Sequence, residues 1–185
     1  PASSCAIAMK HDYQELFAGE PKQILRASNL ADKIFDLVSY LSANLPTERD
    51  GVAPNSNLPT GDDRMASQTA PAKVAVHKFC QNSSESALSQ LLEHGYGVKT
   101  ITLPEAAVCC GFGGSTSLSN PEVSKAILNR KLNNISKTEA DILVTDNPGC
   151  VMHIKGGAQA KKSPVEVLHV AEFLSRQLNL EQSAG

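Results

Sequence analysis

From residue 73 onward the chain alternates short runs rich in valine, isoleucine and leucine with longer stretches of helical periodicity, and this alternation limits the possible folds more than any other feature. Runs at 74–77, 98–103, 140–145 and 165–170 read as strands. Between the first two, 84–94 places Leu88, Leu91 and Leu92 at helical spacing, with Gly95 as the stop. Asn120 reads as the cap of a long helix with Pro121 at its first position. That helix carries Ile127, Leu128, Leu132 and Ile135 on one side, with Lys125, Arg130 and Lys131 among its polar positions. A helix over 150–160, broken at Gly156-Gly157, and a closing helix over 171–180 complete the series. Such alternation predicts an α/β fold, a Rossmann-like parallel sheet with helices on both faces and right-handed crossovers. Sites in open parallel sheets lie at the carboxyl ends of the strands.

The cysteines fall where that rule places a site. Cys80 follows the first strand, Cys109 and Cys110 follow the second, and Cys150 follows the third. All four thiols are expected on one edge of one sheet. Cys109-Cys110 run directly into Gly111-Phe112-Gly113-Gly114, a turn whose backbone N–H groups can approach sulfur closely because no Cβ intervenes.

Residues 1–45 read as helices with apolar faces and no sheet of their own. Ala6, Ile7, Met9, Tyr13, Leu16 and Phe17 lie roughly on one face, and Gly19 and Pro21 end that segment. Residues 46–72 hold five prolines and glycines after Pro46 in a polar stretch and read as a linker or long surface loop. The segment 73–185 then carries the whole α/β pattern. The chain begins at Pro1 with no initiator Met, which suggests an internal position of a longer protein.

Composition removes several classes. Nothing in a net charge of −2 points to nucleic acid or an anionic membrane. No apolar run approaches the roughly 18 residues of a transmembrane span. Five cysteines, an odd number without an export signal, favour reduced thiols in a cytoplasmic protein over a disulfide scaffold.

Three chemistries suit four convergent thiols. One is an iron–sulfur cluster held by thiolates. Another is structural zinc, which accepts four thiolates but usually draws them from Cys-x-x-Cys hairpins that are missing here. The third is a redox or nucleophilic thiol, for which a Cys109–Cys110 bridge is geometrically poor. His77, three positions before Cys80, is a candidate to orient a thiolate or donate to a cluster but reads first as a polar strand-end residue. His153, one turn after Cys150, is a candidate to face the site. His11, His94 and His169 read as structural or solvated, and Arg130, Lys131 and Lys137 as a solvated helix face. Asp146-Asn147 read as site-positioning residues or simply as part of a turn. The glycine turn is no dinucleotide fingerprint, because Thr116 stands where its third glycine belongs.

Cys80, Cys109-Cys110-Gly111 and Cys150, with Val144-Thr145-Asp146-Asn147-Pro148-Gly149-Cys150 around the last, resemble the cysteine-rich CCG domain family. That family includes the cysteine-rich component of heterodisulfide reductase, glycolate oxidase iron–sulfur subunits and the lactate utilisation group, to which the motifs are most similar. Pro1-Ala2-Ser3-Ser4-Cys5 and His11-Asp12-Tyr13 resemble the last element of a first such domain. The resemblance therefore implies that 1–45 is the remnant of a first CCG domain and 73–185 a second. It implies an iron–sulfur electron-transfer subunit of a lactate or other 2-hydroxy-acid oxidising complex. The cofactor would be a cluster of the 4Fe–4S type on Cys80, Cys109, Cys110 and Cys150, with Cys5 belonging to the first domain's site and zinc as the alternative metal. Its partners would be iron–sulfur and flavin subunits, with no nucleic acid, and its place cytoplasmic, peripheral at the inner face of the membrane through them. A zinc-stabilised binding module and thiol–disulfide catalysis of the heterodisulfide reductase kind remain as other readings. Two departures stand out: the first thiol of the terminal Cys-x-x-Cys is Asn147 here, and Ala2 in the first motif, so the family's five-cysteine set is incomplete.

Overall fold

A computed structural model describes residues 2–44, 72–80 and 87–183. The order along the chain is α1 (Ser3–Leu16), α2 (Pro21–Ala31), α3 (Leu37–Asn44), β1 (Val74–Val76), α4 (Ala87–Gln90), β2 (Thr100–Ile101), α5 (Thr116–Ser119), α6 (Pro121–Ser136), β3 (Ile142–Thr145), α7 (Pro148–Ala160), β4 (Glu166–His169) and α8 (Val170–Ser183). The α/β expectation holds. The four strands form one sheet in the order β2-β1-β3-β4, every pairing parallel. Val74 pairs with both Thr100 and Ile142, and Thr145 with His169, so β1 and β3 are the central strands.

Side chains alternate across a strand, and here the two sides fill two separate cores. Val74, Val76, Ile142, Val144 and Leu168 pack with Val38 of α3, Leu88 of α4 and Phe173 of α8. Ala75, Leu143 and Val167 pack on the opposite face with Leu132 and Ile135 of α6 and Ile154 and Ala158 of α7. Both central strands are buried along their whole length, as expected for a parallel sheet covered on both sides. Each such aliphatic side chain removed from water contributes roughly 1.5–3 kcal/mol. Among the described residues, no helix is long and apolar enough to cross a membrane.

Several local expectations need correcting. Of the helix expected over 84–94, residues 84–86 lie outside the described residues; α4 continues into a single π-helical turn, Leu91–Gly95, and the left-handed stop is Gly97 at φ 65°, not Gly95. There Gly97 N–H donates to the Glu93 carbonyl and Val98 N–H to that of Leu92. The strand expected over 98–103 shortens to Thr100–Ile101. Asn120 flanks α6 but its side chain makes no capping bond. Gly156-Gly157 does not break α7, which runs unbroken through Ala160. Gly157 is instead a close-packing position: a Cβ there would lie 2.7 Å from Leu128 Cδ2 and 3.0 Å from Leu132 Cδ1. Lys131 is not on a solvated face but is 1% exposed. The loop expected over 46–72 lies outside the described residues except for Ala72.

Candidate metal centre

The site forms at the carboxyl ends of the two central strands. His77 directly follows β1 and is held to the sheet by its N–H, which donates to the Val144 carbonyl at 2.9 Å. Strand alternation puts position 77 on the same side as Ala75, the face covered by α6 and α7. Cys110 and Cys150 belong to the core of that same face. Cys150 sits in the first turn of α7, directly beyond β3.

These three residues converge. One ligand atom from each of His77, Cys110 and Cys150 lies within 4.8 Å of the others, and all three residues are buried. The Cys110 and Cys150 sulfurs are 3.3 Å apart. Neither ring nitrogen of His77 has a hydrogen-bond partner, although the residue is fully buried. An imidazole in that position is costly unless something binds it. Two thiols and an imidazole are the donor set that borderline and soft metals select, so the residues fit a metal.

The remaining thiols divide between rim and exterior. Cys109 is half-buried and Cys80 exposed. Gly111 N–H donates to Cys109 Sγ at 3.3 Å, as the glycine turn leads one to expect. Cys80 interacts with Cys109, and partial burial together with that neighbour pushes its thiol up to about 11. Cys5 is exposed on α1 and is not part of the buried group.

The two buried thiols shift each other in opposite directions. The Cys150 thiol beside it, with further help from the Phe112 N–H and against the opposing effect of burial, brings Cys110 down to about 4. The same contact, with burial, holds Cys150 far above the ordinary thiol range. One negative charge is therefore easily held at the inner site and a second is not, unless a cation is bound between them.

Neighbouring groups fix the frame. Asn147 Oδ1 accepts from the N–H groups of Gly149, at 3.0 Å, and Cys150, at 3.3 Å, and so caps α7. Asn147 Nδ2 donates to Ser4 Oγ at 3.0 Å, tying α1 to the site loop. The side chain at the position of the missing thiol thus orients Cys150 rather than adding a ligand. Asn147→Ala is expected to lower stability by about 1 kcal/mol, the usual value of an N-cap, read as a lower thermal midpoint of the metal-free protein. His153 approaches Ser124 Oγ at 3.3 Å and stacks obliquely on Phe112, with ring centroids 5.8 Å apart. His169 Nε2 lies 3.0 Å from the Asp146 carbonyl, which agrees with a structural role. Asp146 is buried, and that burial raises its pKa.

Sequence reasoning undervalued His77. The signal that would have found it is parity: two positions after Ala75, on a fully buried strand, it had to point into the α6–α7 face.

A profile of the cysteine-rich domain family CCG matches residues 74–155. "Lactate utilization protein A" of Bacillus licheniformis is 31% identical over 179 residues, covering 95% of this chain and 68% of that protein. "Lactate utilization protein A 2" of Bacillus cereus is 30% identical over 183 residues, covering 97% and 69%. The Halalkalibacterium halodurans protein named "Lactate utilization protein A" is 31% identical over 181 residues, covering 96% and 67%.

Proposed function

Because the chain belongs to the cysteine-rich CCG family represented by the lactate utilization A proteins, we propose that it is the iron–sulfur electron-transfer subunit of a complex oxidising lactate or a related 2-hydroxy acid. The observation that carries this reading is the buried convergence of Cys110 and Cys150 with His77, with Cys109 at its margin. Cys80, Cys109, Cys110 and Cys150 would hold a cluster of the 4Fe–4S type, and Cys5 would serve the site of the preceding unit. When bound, such a cluster supplies a one-electron donor and acceptor.

The chain's own residues divide the work. Cys110 and Cys150 lie within the apolar α6–α7 face, where Leu143 and Ile154 exclude water. Gly111 N–H donates toward Cys109 sulfur, a bond that stabilises negative charge there. Cys80 lies on the exposed side, which suits electron exchange with a docked iron–sulfur or flavin subunit. The carbon chemistry would belong to those partners. A cytoplasmic position, peripheral to the membrane's inner face through them, goes with this reading.

A zinc site is the second reading, favoured by one observation: the inner group contains an imidazole, and mixed thiolate–imidazole sets are characteristic of structural zinc. The two separate on reconstitution. Protein handled without air and reconstituted with iron and sulfide is expected to gain a broad visible absorbance and a reduced-state electron paramagnetic resonance signal. Stoichiometric zinc uptake with no iron incorporation and no such signal would contradict the electron-transfer reading.

A further inference from the structure

We infer that Lys131 is the built-in counter-charge of this metal centre, a positioning residue that sets how readily the site accepts negative charge; the inference rests on the metal-centre reading above.

Lys131 sits on α6 and is one of the largest fully buried side chains in the protein. Its ammonium donates to two backbone carbonyls, Glu105 at 2.9 Å and Ala106 at 3.3 Å. Both belong to the loop that delivers Cys109 and Cys110. The Glu105 carboxylate, the obvious partner for a buried lysine, is turned elsewhere. It accepts from Arg130 Nη2, from Arg130 Nε at 2.8 Å and from Asn134 Nδ2 at 2.7 Å. No carboxylate among the described residues forms an ion pair with Lys131.

A buried cation without an anionic partner is strongly unfavourable. Burial accordingly lowers the Lys131 pKa, while Cys110, Glu105, Cys109 and Cys150 act in the opposite direction. Three of those four groups are the thiols of the site. Carbonyl oxygens orient the ammonium but bring no net charge. The thiolates, which a bound metal keeps deprotonated, join the Glu105 carboxylate as the anions that answer it. A fixed cation beside a thiolate-bound centre stabilises its more negative oxidation state, and it favours thiolate over thiol in metal capture.

Three variants separate charge from bracing. Lys131→Gln keeps a donor for the two carbonyls but loses the charge, Lys131→Met loses both, and Lys131→Arg keeps the charge. In redox titration of the reconstituted full chain, the Gln and Met variants are expected to share a shift of the midpoint to more negative potential, with the Arg variant near wild type. A Gln variant at the wild-type midpoint would overturn the inference and leave Lys131 a loop brace. If the wild-type chain takes up no iron, the electron-transfer reading falls, and the inference is then read from cobalt(II) affinity by competition. It requires about tenfold or greater weakening in both the Gln and Met variants, and unchanged affinity in Lys131→Gln would overturn it.

Discussion

Cys110→Ser is expected to abolish tight metal binding while the sheet still folds. Cys110 is 2% exposed and lies at the centre of the group, 3.3 Å from the Cys150 sulfur and within 4.8 Å of a His77 nitrogen. It is also the thiol that ionises most readily, down to about 4, first through its contact with Cys150. Serine retains the shape but its hydroxyl does not ionise near neutral pH, so the inner charge that attracts a metal is lost. Loss of a supporting contact to a ligand typically costs 10–100-fold in affinity; loss of this ligand should cost more than about 100-fold. Competition against a chelator, with cobalt(II) or zinc as the probe, measures it. Cys5→Ser, an exposed position outside the buried group, is the matched control and should leave the affinity of this site unchanged.

Gly111→Ala is expected to be among the most destabilising small substitutions in the chain. Its φ is 94°, where an L side chain is strained. A Cβ there would lie 2.6 Å from the Ser124 carbonyl oxygen and 3.1 Å from Ile127 Cβ. The first is backbone of α6, which cannot swing aside as a flexible side chain can. Left-handed strain costs about 1–2 kcal/mol and overpacking about 1–3 kcal/mol, so a loss of roughly 2–5 kcal/mol is expected from chemical denaturation. Gly114→Ala shows which part is steric. It has φ 58° but nothing within 4 Å of its would-be Cβ, so it should lose only the strain component. Equal losses at both positions would show that the close approach of the glycine turn to α6 is not what Gly111 provides.

The parallel sheet was legible because β1 and β3 are short aliphatic runs between helical patterns, and burial on both faces demands that composition. That Cys110 and Cys150 end near one sheet edge followed from topology alone. What stayed hidden depends on contacts across elements. Lys131 lies at a polar position in the periodicity of α6, and only the packing of the 104–108 loop shows that it points inward. Gly157 reads as a helix breaker by propensity, yet the neighbouring Leu128 and Leu132 need its missing Cβ. Asn147 looked like the absence of a ligand, and its two bonds to the start of α7 show a cap. The π-helical turn at Leu91–Gly95 and the shift of its stop to Gly97 left no trace in apolar spacing.

We propose that Cys80, Cys109, Cys110 and Cys150, with His77 beside them, form a metal centre at the carboxyl edge of the sheet, around the buried group of His77, Cys110 and Cys150. Elemental and acid-labile sulfide analysis of the protein isolated without air and without chelators tests it most directly. The account predicts iron together with labile sulfide in the wild-type chain, and neither in Cys110→Ser. A folded wild-type protein carrying neither iron nor zinc above trace would contradict it.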